Sequence, residues 1–252
     1  MMGLRNVYRV FNETRKAARE QATLAVTGDS PRAAEIATLL GAQRVVKGAE
    51  VVLAVSGVGD RLTLSGKAVE EPGEVALSST SEKALLEELA PRVVRALDED
   101  YLVPLAKGYP VFRRAVCEEI IRKNARQNAV VGALPIPGAD MPVMTANQAR
   151  MVLYIAAAYG EELSMDRARE LLGVLAAGFG LRALARQAVK LVPVGGWAAA
   201  AAIGYAGTVA MGRATVLYFE RGKQELEEGE ISEIRRRAIE EARVFVSRLR
   251  RR

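Results

Sequence analysis

Between Lys190 and Arg213 the chain runs through 22 residues, Leu191 to Gly212, without a single charge, and Ala200, Gly204, Thr208 and Gly212 recur there at every fourth place. Residues four apart lie on one face of a helix, so the segment presents a ridge of small side chains on which another helix can settle closely. A helix of that length also reaches across a hydrocarbon core of about 30 Å at about 1.5 Å per residue. Two destinations satisfy it, a bilayer or the interior of a helical bundle. Pro193, Gly195 and Gly196 interrupt its start, and the part from Trp197 is mostly alanine, which gains little on transfer to hydrocarbon. A second uncharged run, Leu171 to Leu181, is too short to cross alone. With Arg182, Arg186 and Lys190 in the turn between them, the two runs form a candidate membrane hairpin, or equally a buried helical pair.

Charge is unevenly spread along the remainder. Residues 1–22 carry +3, 23–104 carry −5, 105–160 carry +4, 161–229 balance, and 230–252 carry +4. An acidic block among basic ones sets a domain boundary near residue 104 and suggests four regions: an amphipathic helix over 1–22, an acidic α/β domain over 23–104, a helical domain over 105–229 and a basic amphipathic helix over 230–252. The fold class expected is therefore α+β. In the first helix Leu4, Val7, Tyr8 and Phe11 share a face bordered by Arg5, Arg9, Arg15 and Lys16. That pattern suits either packing on its own domain or lying on an anionic bilayer. The start lacks the sustained apolar core and small-residue cleavage site of a signal peptide, so the location expected is the cytoplasmic side of the cell membrane, with the cytoplasm as the alternative.

In the acidic block, Thr23 to Gly28 form a short run rich in β-branched residues that ends in glycine. Asp29 or Ser30 then caps a helix with Pro31 in its first turn and Gly41 as its stop. Val51–Val55 and Val75–Leu77 are further strand candidates, and Ser79 with Glu82 has capping-box spacing ahead of the helix KALLEEL. Residues 61–66 can pair with the preceding run as a hairpin, which leaves strand order open. The alternation predicts a small parallel or mixed sheet.

A strand, a glycine turn and a helix together mark the place where nucleotide-binding folds hold phosphate. The segment from Gly28 to Glu35 nevertheless lacks the second glycine, the lysine and the hydroxyl of a phosphate loop, and Asp29 puts a negative charge where a phosphate would sit. The chain holds no D-x-x-G and no [NT]-K-x-D, and Gly57 and Gly59 are not followed by a third glycine at dinucleotide spacing. The block reads as a degenerate relative of a GTPase-type sheet. With no histidine and one cysteine, Cys117, the chain cannot build a His-based acid/base pair, a histidine-assisted nucleophile or the usual zinc site. No cofactor, metal or catalytic residue is expected, although Asp140 is the carboxylate an enzyme would most plausibly use.

Beyond Leu105 the strand signals stop. Phe112, Val116, Ile120 and Ile121 stripe a basic helix, and Pro135, Pro137 and Gly138 break it. Asp140 then stands where it can cap a helix that passes Gln148, Met151 and Ile155 to Tyr159-Gly160. The order of N-A-x-x-x-A from Asn128, PIPGAD, Gln148, Tyr159-Gly160 and LVPVGGW ahead of an Ala/Gly helix resembles the helical domain of the YcjF-like family over about residues 109–222. The resemblance implies a membrane-associated protein of undetermined activity working beside an Era-like GTPase. It marks Pro135, Pro137, Gly138, Asp140, Gln148, Tyr159 and Gly160 as motif or interface residues and supplies no catalytic ones. Trp197, Ala200, Gly204, Thr208 and Gly212 are the candidates for helix packing or membrane contact.

At the C-terminus Ile231, Ile234, Ala238, Ala242, Phe245 and Leu249 follow helical steps, Glu233 stands four before Arg237, and Arg248 and Arg250–Arg252 close the run. The arginines suit a solvated helix end or anionic lipid. Nucleic acid ranks last as a partner, since aromatics are only 5% of the chain. The function expected is a non-enzymatic, membrane-associated helical protein working with a GTPase. The alternatives are a soluble GTPase adaptor and a nucleotide-binding or hydrolytic enzyme with non-standard motifs.

Overall fold

The computed structural model describes residues 20–56, 60–133, 140–161 and 196–249. Most of the helix expected over 1–22, the glycines at 57 and 59, Pro135, Pro137, Gly138, the run 171–181, residues 191–195 and Arg250–Arg252 lie outside them. The described chain forms two compact units. One holds 20–119 with Ala157–Glu161, and the other holds Ile120–Ala156 with 196–249.

The first unit is built on a mixed sheet of four strands in the order β1-β2-β3-β4: Leu24–Thr27, Val51–Val55, Arg61–Ser65 and Gly73–Ala76. β1 and β2 are parallel, joined through helix α1 (Pro31–Leu40), while β2, β3 and β4 are antiparallel neighbours. The hairpin alternative for residues 61–66 is thus the one adopted. Register puts Val55, Leu62 and Val75 in line across one buried face, with Leu53 beside Leu64. The alternate residues Arg61, Thr63 and Glu74 point to the other face and are exposed, as a strand's period of two requires. The outer edge of β1 is covered. Leu24 N–H donates to the Tyr109 hydroxyl at 2.8 Å, and Gln43 exchanges backbone bonds with Leu24 and Val26. An edge so occupied offers no ladder to a stray strand.

Local sequence explains the helix ends. Ser30 is the cap of α1, accepting from Ala33 N–H at 3.2 Å, Pro31 opens its first turn, and Gly41 stops it with φ +64. Gly28 has φ +125, and a Cβ there would stand 2.7 Å from the Val55 carbonyl, so only glycine fits the strand-to-helix turn.

The capping box expected at Ser79 and Glu82 is not formed. Ser81 is the cap, accepting from Ala84 N–H at 3.2 Å, and Ser79 bonds the Ser81 hydroxyl instead. Three serines within four residues all offer a capping oxygen, and the helix starts after the last of them. That helix, α2, comprises Glu82–Ala84, a widened turn over Leu85–Leu89 and Ala90–Ala96. The widening is caused by Pro91, which has no N–H to donate and whose ring would meet the carbonyl four residues back. A short turn at Glu99–Tyr101 leads into α3 (Leu102–Gly108).

Helix α4 (Pro110–Ala133) begins in the first unit, where Phe112 and Val116 are fully buried, and ends in the second, where Ile121, Ala125 and Ala129 are buried. The second unit adds α5 (Asp140–Ala158, to residue 156), α6 (Trp197–Glu220) and α7 (Glu228–Leu249). In α7 the buried residues are Ala238, Ile239, Ala242 and Val246, so the apolar face is turned slightly from the one expected, and Leu249 is exposed. Glu233 does pair with Arg237, at 2.6 Å, and with Arg236, at 2.7 Å.

None of the described helices is long and apolar enough to cross a membrane. Of the two destinations open to Leu191–Gly212, the described part favours the helical bundle over a span: α6 starts at Trp197 and continues through Arg213 to Glu220, with most of its residues buried. The physical reason is its composition, because alanine and glycine contribute little to transfer into lipid but permit close helix contact.

Candidate functional site

Four neutral polar side chains meet inside the second unit. Asn128 of α4 is fully buried and donates through Nδ2 to Thr208 Oγ1 of α6 at 2.8 Å. The Asn128 Oδ1 accepts from Asn147 Nδ2 of α5 at 2.9 Å, and Gln148 Nε2 reaches Thr208 Oγ1 at 3.5 Å. Thr208 Oγ1 in turn donates a hydrogen bond to the Gly204 carbonyl at 2.8 Å. Every partner is an amide, a hydroxyl or a carbonyl, and together they hold three helices in one register.

The helices can approach so closely because of the small-residue ridge. A Cβ on Gly204 would lie 2.6 Å from the Asn128 carbonyl and 3.1 Å from Met144 Cε, and one on Gly132 would lie 2.9 Å from the Ala200 carbonyl. A Cβ on Gly212 would collide with the Ile121 side chain and lie 3.1 Å from Met151 Sδ. Contacts at 132 with 200, 128 with 204 and 121 with 212 make α4 and α6 antiparallel. Contacts at 144 with 204, 148 with 208 and 151 with 212 set α5 parallel to α6. The structure therefore brings together Ala200, Gly204, Thr208, Gly212 and Gln148 of the sequence candidates. Trp197 stands apart, 52% exposed on the first turn of α6.

Tyr159 and Gly160 serve a different end. Gly160, with φ +81, terminates α5, and Arg113 donates from Nε to the Ala158 carbonyl at 3.1 Å while its guanidinium lies 5.1 Å above the Tyr159 ring. A cation over the last carbonyls and an aromatic face stabilises that helix end. Asp140 is the first residue of α5.

On the opposite flank of α6, Tyr205 stacks on Phe245 of α7, ring centroids 4.5 Å apart, and donates to Glu241 Oε1 at 3.0 Å. Glu241 also pairs with Arg213 at 2.9 Å. Burial, reinforced by the neighbouring Glu241 carboxylate, pushes the Tyr205 phenol up to about 12. This clamp and Asn147 were not legible as site residues, because no short-range spacing links position 205 to 241 or 128 to 147.

In the first unit, the turn between β1 and α1 is occupied by the protein's own groups. Ser30 caps the helix, Arg44 donates to the Gly28 carbonyl, and Arg32 bonds the Leu77 carbonyl at 2.7 Å and Asp60 at 3.0 Å. Among the described residues no group of three acidic, cysteine or histidine side chains stands together to hold a metal.

Comparison with curated proteins and with solved structures finds no match. Residues 106–243 match the model of a domain of unknown function, DUF697, and the stretch resembling the YcjF-like family falls within that match. Because the match covers more than half of the 252 residues, the chain belongs to the DUF697 family.

Proposed function

We propose that this protein is a non-enzymatic helical module that associates with a membrane and works beside a GTPase. The observation that carries this reading is the use made of the polar motif residues: Asn128, Gln148 and Thr208 bond one another inside a bundle. A site whose polar groups bond one another holds a shape for a partner to recognise. It prepares no reacting atom. The partner half of the reading draws on the YcjF-like resemblance and on the β1–α1 turn, where Arg44 and Ser30 satisfy the turn and no phosphate-loop lysine is present. Nucleotide chemistry is then supplied in trans. The membrane half draws on Trp197, a large aromatic half exposed at the start of a charge-poor helix.

Cell fractionation at physiological salt, joined to titration of the purified chain with labelled GTP and ATP, tests both halves. Recovery with membranes and no nucleotide binding are expected. Full recovery in the soluble fraction would sink the membrane half, and micromolar nucleotide affinity would sink the division of labour with a GTPase.

A further inference from the structure

The sheet of the first unit has two edges of different character. Beside β1 the backbone groups are taken by Tyr109 and Gln43. Beside β4 they are not. Leu77 N–H donates to the Asp60 carbonyl at 2.7 Å, which carries the β3–β4 register one residue further and makes those two a hydrogen-bonded pair. Bonded and non-bonded pairs alternate along an antiparallel ladder, so Gly73 and Val75 also turn their backbone groups toward β3, while Glu74 and Ala76 turn theirs outward. Both residues are exposed, and among the described residues nothing bonds their outward groups.

This open stretch has fixed limits. On one side the next outward-facing residue is Pro72, which has no N–H. On the other it is Ser78, whose N–H is engaged by Glu88 Oε2 at 2.8 Å. A strand laid here therefore finds complete hydrogen-bonding positions only at 74 and 76.

A second copy of the same strand meets those limits. Placed antiparallel about a two-fold axis through Val75, it sets Glu74 of each copy opposite Ala76 of the other, and each of these residues both donates and accepts. Pro72 then falls opposite Ser78, so the two positions without a free donor face each other. A slip of two residues one way sets Glu74 against Glu74 and Ala76 against Pro72. A slip the other way sets Glu74 against Ser78, whose N–H is already engaged. The side chains favour the same register. On the exposed face, Arg61, Ala76 and then Glu74 and Thr63 of the other copy fall in one row. Two strand spacings, about 10 Å, separate position 61 from position 74 of the other copy, a span that an extended arginine and a glutamate bridge over the small Ala76. Arg61 already pairs with Glu74 of its own chain at 2.6 Å, so the joined face alternates in sign.

We infer that the outer edge of β4 is a self-association surface, which joins two copies of this chain into one continuous sheet. The pairing depends on neither half of the proposed function. A contact of this size makes a weak dimer that forms with rising concentration.

Sedimentation of the full-length protein over about 5–500 µM tests it, with a shift from monomer toward dimer expected across that range. A76P removes the outward N–H and leaves the bonds to β3, so it should raise the concentration at the midpoint about tenfold or more without altering the circular dichroism. R61E and E74R should each weaken association, because each sets like charges in the row. Mixed in equal amounts, the two variants should associate again: the carboxylate introduced at position 61 of one meets the guanidinium introduced at position 74 of the other, while the repulsion inside each chain persists. A protein that stays monomeric throughout, a dimer indifferent to A76P in a folded variant, or a mixture that associates no better than its components would each overturn the pairing.

Discussion

Asn128 and Thr208, 80 residues apart in sequence, are joined by a 2.8 Å hydrogen bond in the interior of the helical unit. The bond fixes α4 against α6 at the point where Gly204 lets the two backbones approach. Thr208→Val removes the acceptor and leaves a buried amide N–H without its partner, a loss of about 1–3 kcal/mol. Asn128→Leu should cost a similar amount by stranding Asn147 and Thr208. Because both changes break one network, the double variant should lose clearly less than the sum, measured by urea unfolding in a double-mutant cycle. Strict additivity would mean that the two side chains act independently.

Two glycines three residues apart in α6 should respond in opposite directions. Gly204→Ala drives a methyl toward the Asn128 carbonyl, a backbone atom that cannot turn aside, and overpacking of this kind costs about 1–3 kcal/mol. Gly207 has nothing within 4 Å of a built Cβ, so Gly207→Ala should stabilise by up to about 1 kcal/mol through helix propensity. Thermal unfolding of the two variants decides it, and two shifts of the same sign would contradict the packing described.

The Tyr205 phenol, pushed up to about 12 by burial and then by Glu241, makes stability depend on alkaline pH. Its folded value lies above the unfolded value near 10, so the contribution is complete below pH 10 and lost as pH rises toward about 12. The size is on the order of 2 kcal/mol. Tyr205→Phe should remove a late-titrating phenol from the absorbance at 295 nm and flatten the fall in stability between pH 10 and 12. An unchanged ultraviolet titration would rule out this environment for Tyr205.

Features set by a few adjacent residues were legible in the sequence. Ser30, Pro31 and Gly41 delimit α1 because a cap, a fixed φ and a left-handed stop act within one turn. The missing phosphate loop was legible for the same reason, since backbone and side chain must meet the phosphate within eight residues. The choice of Ser81 over Ser79 was not, because serines of equal capping power compete and the packing of α2 selects among them. Leu249 followed the helical period yet is exposed, since α6 offers α7 a face centred on Ala238 and Ala242.

By itself, the sequence determined that the first part of the chain builds a small sheet with helices, that the rest is helical, and that the segment ending at Gly212 must be enclosed by something. Strand and helix periods, glycine stops and the absence of charge are local properties, and they carry that much. Only the tertiary structure decided what encloses α6. A ridge of Ala200, Gly204, Thr208 and Gly212 has the same spacing whether lipid or protein lies against it. The outcome turned on the carbonyl of Asn128 and the side chains of Met144, Ile121 and Met151, which approach too closely for any larger residue.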